Sequence, residues 1–323
     1  MATSATIVPE ARPQARASFL ARAFSGDGLA YGITFVAASS ILALTILLVF
    51  ELWTHGSVSR MKFGWSFLTS TAWDSNAGQF GALPFIIGTV VTSALSLIIA
   101  VPFGLGAAIF LAELAPPKLS DAMTFLIELL AAVPSVIFGL IGIFVLVPML
   151  NVVVPFLKNY LGSMFFFSGP FYGVSTLSAG VVLSVMIVPF IISVSREVLL
   201  NVPRDLREAA LAVGATRWET TWQVVVPYAR TGIFGSIFLA LARALGETMA
   251  VTMVIGNSPR IVASLLAPGY TIASVIANEF SEATGDLYTS ALIELALVLF
   301  ALTIVLNGAA RLLILATTER HSK

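Results

Sequence analysis

The chain consists of long apolar stretches separated by shorter polar ones. An α helix needs about 20 apolar residues to cross the roughly 30 Å hydrocarbon core of a bilayer, and six stretches are that long. Spanning segments must satisfy their own backbone polar groups, so such stretches form helices. The pattern predicts an all-α, polytopic membrane protein. The predicted spans are Leu29–Leu52, Leu83–Leu114, Met123–Leu150, Thr176–Leu200, Gly232–Ile255 and Tyr288–Leu315.

Three of the predicted spans contain a proline, namely Pro102, Pro134 and Pro189. Proline removes a backbone donor and kinks a helix, which is tolerated in membranes where neighbours satisfy the freed carbonyl. We therefore expect kinks inside the second, third and fourth spans.

The composition supports the membrane assignment. Of 323 residues, 58% are hydrophobic and 11% are charged, and the mean hydropathy is +0.97. A soluble domain carries about 25% charged residues. Basic and acidic residues are equal in number, so no basic field favours nucleic acid as a partner. The absence of Cys excludes disulfides and thiolate metal sites, and two His residues are too few for a metal cluster.

The distribution of Lys and Arg predicts the orientation. Twelve of them lie in the terminal segments and in the gaps on the same side as the termini, and four lie in the opposite gaps. Cytoplasmic loops carry the excess of basic residues, so both termini are expected in the cytoplasm. We expect residues 1–28 to form a disordered tail, residues 29–315 the membrane domain, and residues 316–323 a short C-terminal tail.

The polar segment between the fourth and fifth spans, residues 201–230, predicts two short cytoplasmic helices. Gly214 can supply a left-handed cap at the end of the first helix. Thr216 and Glu219 have the spacing of a capping box that begins the second, and Pro227 is expected to end it. The segment is either a docking element or a solvated linker that happens to be helical, and composition alone favours neither.

One motif in this segment favours docking. Glu208-Ala209-Ala210 is followed by Gly214. Further along, the aliphatic residues Val224 and Val226 precede Pro227. This pattern resembles the EAA loop of ABC-importer permeases, and the resemblance implies a coupling helix that sits in a groove of an ATPase subunit. The chain has no Gly-Lys pair and so no phosphate-binding loop. It is therefore expected to be a non-enzymatic subunit without its own cofactor, with ATP and Mg²⁺ held by a separate ATPase.

The predicted fifth span carries two charges near its centre, Arg243 and Glu247. Arg243 lies about 17 Å along a helix from Gly232, too far for its side chain to reach water easily. One turn apart, the two charges would share a helix face with a stripe of small residues, Gly232, Ser236, Ala240 and Ala250. They form either a structural ion pair or an anion path in which Arg243 attracts substrate and Glu247 limits how tightly it is held. Alternative partners for Arg243 are Glu128 and Glu294.

A second resemblance covers most of the chain from about Leu29 onward. The fifth-helix signature of PstC-type permeases of the phosphate ABC importer is similar to the run that starts at Arg243 with Arg-Ala-Leu-Gly-Glu-Thr-Met-Ala-Val-Thr and ends in Ile255-Gly-Asn. Two further runs match it, Glu128-Leu-Leu-Ala-Ala-Val-Pro-Ser-Val-Ile-Phe-Gly and Ser168-Gly-Pro.

That second resemblance implies a phosphate importer of the bacterial inner membrane in which Arg243 and Glu247 are needed for phosphate passage. It also implies a heterodimer with a PstA-type permease, a PstB-type ATPase homodimer and a periplasmic phosphate-binding protein. Membrane lipid surrounds the apolar surface of such a subunit.

Other functions fit parts of the pattern. A permease for another oxyanion, such as molybdate or sulfate, would need the same cation, because the residues distinguish only anions from cations. A secondary carrier driven by an ion gradient would have similar spans and a merely structural cytoplasmic loop. An intramembrane enzyme is disfavoured, because the sequence has no His-Glu-x-x-His zinc pair.

Overall fold

The computed structural model describes residues 26–161 and 165–319, and this part of the chain is predominantly helical. Its strands are limited to one short antiparallel pair, β1 (Trp73–Asp74) and β2 (Gln79–Phe80). The predicted all-α class is confirmed. The helices are α1 Gly26–His55, α2 Ser57–Phe63, α3 Ser66–Thr69, α4 Leu83–Ile109, α5 Pro117–Ala131, α6 Ser135–Ile141, α7 Val147–Leu161, α8 Thr176–Leu200, α9 Arg204–Ala212, α10 Arg217–Thr220, α11 Val226–Leu245, α12 Met249–Ile255, α13 Ile272–Glu279 and α14 Asp286–Glu319, and π-helical turns follow α4, α6 and α10 at Phe110–Leu114, Gly142–Leu146 and Thr221–Val225.

Six helical segments of the described residues are long and apolar enough to cross a membrane. This number agrees with the prediction, and the second and fourth spans have the predicted bounds. The first and sixth differ from the predicted bounds by a few residues. The observed spans are Ala30–His55, Leu83–Leu114, Ser135–Tyr160, Thr176–Leu200, Arg217–Leu245 and Asp286–Leu312.

The predicted third span, Met123–Leu150, is wrong in its bounds. The helix is broken at Pro134, because α5 ends at Ala131 and α6 begins at Ser135. Pro134 is extended (φ −57°, ψ 139°), and a proline also disfavours a helical conformation in the residue before it. The span therefore runs from Ser135 through a π turn to Tyr160. As a separate helix, α5 packs against α8.

The predicted fifth span, Gly232–Ile255, is also wrong in its bounds. The observed helix begins at Arg217 and runs through a π turn into α11, which ends at Leu245. Pro227 does not end a helix as predicted, because it lies just after the π turn Thr221–Val225 and the helix continues through it to Leu245. Residues 246–248 are not helical, and α12 then starts a new helix.

The central helix of residues 52–323 is α8, which packs against α4, α11 and α12. Two glycines permit its close contact with α4. A Cβ on Gly104 of α4 would lie 2.8 Å from Cγ2 of Ile191, and one on Gly180 of α8 would lie 2.5 Å from Cδ2 of Leu95. Small residues allow membrane helices to approach closely, so these two positions set the α4–α8 distance.

Aromatic side chains close the end of the bundle opposite α9. Trp73 of β1 packs edge-on against Phe80 and Phe85, with ring centroids 4.9 and 4.8 Å apart. Its indole N–H donates to Oε2 of Glu279 (2.8 Å), which also accepts from the Tyr288 hydroxyl (2.6 Å). These contacts tie β1 to α4, α13 and α14.

The chain divides into two compact units, residues 1–51 and residues 52–323. The predicted N-terminal tail lies outside the described residues except for its last three, which begin α1 at Gly26. The predicted C-terminal tail begins inside α14, which continues to Glu319, and the rest of it lies outside the described residues.

Candidate coupling and translocation sites

The element predicted around Glu208, Ala209 and Ala210 is α9. No side chain of this helix is buried. Gly214 follows it in the left-handed conformation (φ +93°), and the N–H of Ala215 donates to the C=O of Ala210 (3.2 Å). A left-handed glycine turns the chain sharply at the end of a helix. The predicted cap at Gly214 is therefore confirmed.

The predicted capping box at Thr216 is also present. Its Oγ1 accepts from the N–H of Glu219 (3.2 Å), and its own N–H donates to Oε2 of Glu219 (2.7 Å). These bonds fix the direction in which α10 leaves the turn. The two predicted helices are therefore joined by a turn at Gly214. The second helix continues into the membrane span instead of ending at Pro227.

Apolar side chains are exposed on the projection formed by α9, the turn at Gly214 and α10. Val213 is 86% exposed, Trp218 56% and Leu211 45%. Grouped apolar residues on an otherwise polar surface indicate an interaction site. Together with the exposed carboxylate of Glu208, they make α9 and the turn after it a candidate docking surface.

Arg207 fixes α9 to the ends of two spans, a role that the sequence analysis missed. Its Nη2 and Nε donate to Oε1 and Oε2 of Glu113 (2.8 and 3.2 Å), at the end of the second span. The same guanidinium donates to the C=O of Leu199 (2.7 Å) and to the C=O of Val202. The two charged side chains are only 19% and 10% exposed, so salt screens the pair weakly. The one signal in the sequence was a glutamate directly at the end of an apolar stretch.

A cavity of about 360 Å³ opens beside this ion pair. It lies between α9 and the end of the second span, and Glu208 of the EAA motif lies on its rim. The motif and the Arg207–Glu113 pair therefore belong to one site. The lining residues are Ala112, Glu113, Leu200, Arg204, Arg207 and Glu208.

The structure separates Arg243 from Glu247. Arg243 lies in the last turn of α11, whereas Glu247 lies in the non-helical segment that follows. The predicted shared helix face is wrong, because α11 ends at Leu245, just before Gly246. Among the described residues Arg243 forms no ion pair with Glu247. The interpretation of the two as a structural ion pair therefore finds no support in this part of the chain.

Glu247 instead caps α12. Its Oε1 accepts from the N–H of Ala250 (3.2 Å), one of the first N–H groups of that helix. Thr248, directly before the helix, supplies no side-chain cap. A side-chain acceptor at this place satisfies a donor that has no partner within the helix.

Arg243 is exposed at about mid-height of the bundle. Its neighbours Ala240 and Ala244 belong to a buried cluster with Met186 and Ile187, which lie near the middle of α8. The sequence placed Arg243 too far along a span to reach water easily, and the isolated subunit leaves its side chain exposed. The small residues of α11 pack on α8, which leaves the long side chain beside them at the surface.

The predicted stripe of small residues on α11 is confirmed as a packing surface. A Cβ on Gly232 would lie 2.4 Å from Cγ1 of Val198. One helical turn further on, Oγ of Ser236 lies 2.7 Å from Oγ of Ser195 in a buried hydrogen bond. Close approach of α11 and α8 follows from these two contacts.

The two alternative partners of Arg243 lie elsewhere. Glu128 is exposed on α5. Glu294 is buried on α14 and lines a cavity together with Arg60. In the described part of the chain neither carboxylate forms an ion pair with Arg243.

Comparison with known proteins identifies the family. The family model for "Binding-protein-dependent transport system inner membrane component" matches residues 100–317. The chain is 45% identical to the "Phosphate transport system permease protein PstC" of Mesorhizobium japonicum, over 97% of this chain and 98% of that protein. The chain belongs to the PstC permease family. The proteins of the same name from Xylella fastidiosa (strain 9a5c) and Haemophilus influenzae are both 46% identical to it, covering 90% and 88% of this chain and 90% of each relative.

A solved structure supports the fold of this PstC-family chain. "Crystal structure of a bacterial ABC transporter involved in the import of the acidic polysaccharide alginate" matches with a TM-score of 0.52 and 17% identity, over 86% of this chain and 95% of that one. The predicted ABC-importer permease fold is therefore confirmed, and the chain is a multi-pass membrane protein.

Proposed function

We propose that this chain is the membrane permease subunit of an ATP-driven phosphate importer in the bacterial inner membrane, with both termini in the cytoplasm. The observation that carries the proposal is the exposed guanidinium of Arg243 at mid-height of an apolar bundle. Facing lipid, it would cost at least about 2.5 kcal/mol. It therefore needs water, an anion or a companion subunit, and the name of the relatives indicates phosphate as the anion.

The exposed face around Arg243 is the proposed contact with a PstA-type second permease, and phosphate passes between the two subunits. Arginine suits this task because its planar guanidinium binds phosphate oxygens in a bidentate manner. Glu247 follows four residues later and adds a negative charge that limits how tightly the anion is held. Because Glu247 also caps α12, a movement of α12 would move the Glu247 carboxylate relative to Arg243.

The proposed coupling element is α9, with Glu208, Ala209 and Ala210, followed by the turn at Gly214. It docks on one subunit of a PstB-type ATPase homodimer, which holds ATP and Mg²⁺. The exposed apolar side chains of the projection support this proposal. The bonds of Arg207 support it as well, because they make α9 one rigid body with the ends of the second and fourth spans.

Phosphate is delivered at the opposite end of the bundle by a periplasmic phosphate-binding protein. Membrane lipid covers the remaining apolar surface, and no nucleic acid takes part. In this proposal, a movement of α9 is transmitted through α8 to Arg243 on α11. The helices α8 and α11 pack together, and the hydroxyls of Ser195 and Ser236 are hydrogen-bonded between them.

Uptake of labelled phosphate into vesicles that hold the complete complex tests the proposal. We expect uptake that requires ATP on the side of the ATPases and that excess sulfate or molybdate reduces little. Uptake that persists without ATP when an ion gradient is imposed would identify a secondary carrier. Stronger competition by sulfate or molybdate than by unlabelled phosphate would identify a permease for another oxyanion.

A further inference from the structure

A cavity of about 520 Å³ lies at the end of the bundle opposite α9, and the transport proposal makes no use of it. Trp53, Arg60 and Trp65 line it on one side, and Glu294 of α14 lies at its polar end. The two tryptophans are 55% and 84% exposed. Tryptophan collects where the hydrocarbon core of a membrane meets the headgroups, so Arg60 between them lies at headgroup level.

Two polar groups of this cavity each have an atom without a partner in the described part of the chain. Glu294 is only 7% exposed, and its Oε2 accepts no hydrogen bond. Arg60 donates from Nη2 to the C=O of Trp53 and lies over its indole, 3.9 Å from the ring centroid. Its Nη1 is buried and has no acceptor. A ligand that fits both atoms carries an anionic oxygen for Arg60 and an N–H donor for Glu294.

The rest of the cavity is an apolar groove along α14. Its residues follow Glu294 on one helix face, at helical spacing. From Glu294 to Val305 the groove is about 17 Å long at 1.5 Å per residue, which is close to half of the roughly 30 Å hydrocarbon core. The groove therefore has the length of one leaflet. The α14 residues that line it are Leu297, Val298, Ala301, Leu302 and Val305.

We propose that this groove binds one phospholipid whose headgroup carries a primary amine. Its phosphate contacts Arg60, its ammonium donates to Glu294, and one acyl chain lies along α14. A choline headgroup has no N–H to donate to Glu294, and a glycerol headgroup brings no positive charge to it. Phosphatidylethanolamine is therefore preferred over phosphatidylcholine and phosphatidylglycerol. The bound lipid adds to the contact between α2 and α14 that Ser59 and Ser290 make through a 3.1 Å hydrogen bond.

Native mass spectrometry of the complete complex, exposed to equal amounts of the three lipids, tests this site. We expect one retained phosphatidylethanolamine per copy of this chain, preferred over phosphatidylcholine by about tenfold, the equivalent of about 1.4 kcal/mol. Glu294→Gln should remove most of that preference, because the charge that attracts the ammonium is lost. Arg60→Gln should lose both phosphatidylethanolamine and phosphatidylglycerol.

Two further variants separate lipid binding from folding. Lys62→Gln changes a basic residue of the same short helix that does not line the cavity, and should leave lipid retention unchanged. Ala301→Phe places a ring in the groove from an exposed position and should expel the lipid while Arg60 and Glu294 stay intact. Equal retention of phosphatidylethanolamine and phosphatidylcholine, or retention unaffected by Ala301→Phe, would overturn the proposal. So would the absence of any retained lipid, which would mean that protein fills the groove.

Discussion

Arg207 and Glu113 are 94 residues apart in the sequence, and their side chains form a bidentate ion pair with a shortest distance of 2.8 Å. This pair joins the exposed helix α9 to the end of the second span. Through the C=O of Leu199, Arg207 also holds the end of α8. Movement of α9 must therefore move the ends of both spans, which is the mechanical link that the coupling proposal requires.

Arg207→Ala should reduce phosphate uptake by about tenfold or more, because Glu113 would lose its partner and α9 would no longer be held to the end of the second span. Loss of one partner of a buried ion pair costs about 3–5 kcal/mol, and the two side chains of this pair are only 19% and 10% exposed. The ATPase should remain bound, since the docking surface itself is unchanged. The measurement is the ratio of ATP hydrolysed to phosphate transported in reconstituted vesicles, which should rise. Arg204→Ala, on the same helix and the same cavity, is the control. An equal ratio in the two variants would contradict the coupling role of Arg207.

Gly214→Leu should weaken association with the ATPase. At φ +93° a side chain strains the backbone by about 1–2 kcal/mol, so the turn between α9 and α10 changes. A Cβ there would meet no atom of this chain within 4 Å, so the effect arises from the backbone and the partner. Gly214→Asn, which tolerates this conformation better, is the matched control. Undiminished co-purification of the ATPase with Gly214→Leu would argue against docking at this turn.

Arg243→Ala should abolish phosphate uptake and leave the complex assembled, because the exposed side chain forms no ion pair within the described residues. Labelled phosphate uptake and size-exclusion chromatography of the same preparation measure both properties. Arg230→Ala removes the same charge from the opposite end of α11 and should retain transport. Normal uptake by Arg243→Ala would reject a role of this residue in translocation.

Glu247 can be tested for capping and charge separately. Glu247→Gln keeps an oxygen that can accept from the N–H of Ala250, whereas Glu247→Ala removes the cap. We expect Glu247→Ala to lose about 1 kcal/mol of stability, as measured for other helix caps, and Glu247→Gln to lose little. Uptake should fall in both variants, because both lose the negative charge near Arg243. Full uptake by a stable Glu247→Gln variant would show that this residue acts as a cap alone.

The packing of α11 on α8 predicts opposite results for two glycines on the same helix. Gly232→Ala should destabilise the subunit by about 1–3 kcal/mol, because the added Cβ would overlap Val198. Gly235→Ala should be neutral or stabilising, since its Cβ would meet nothing within 4 Å. Thermal unfolding of the purified complex measures both. Equal melting temperatures for the two variants would show that α11 and α8 are further apart than described.

Local features could be predicted because they depend on neighbouring residues. The length of each apolar stretch decides whether it can cross a bilayer, and this is a property of composition alone. The cap at Gly214 and the capping box at Thr216 were predictable for the same reason, because each bond joins residues within five positions. The EAA motif lies in the same segment as these features.

Features that depend on several segments could not be predicted. Pro134 was expected to kink a span and instead separates two helices, because satisfying the freed backbone groups depends on what packs beside them. Pro227 was expected to end a helix and instead lies inside one that continues past it. The exposure of Arg243 could not be predicted either, because which side of α11 meets α8 is decided by contacts with Val198 and Ser195.

By itself, the sequence determined the all-α class, the number of spans and the local turn at the EAA motif, since hydrophobic length and short-range hydrogen bonding specify these. Only the tertiary structure decided that Arg207 reaches Glu113, that Arg243 is exposed, and that Glu294 shares a cavity with Arg60. Each of these features depends on how helices far apart in the chain pack together. The physical reason is that a charged side chain takes the partner that folding brings within reach, and sequence spacing does not encode that distance.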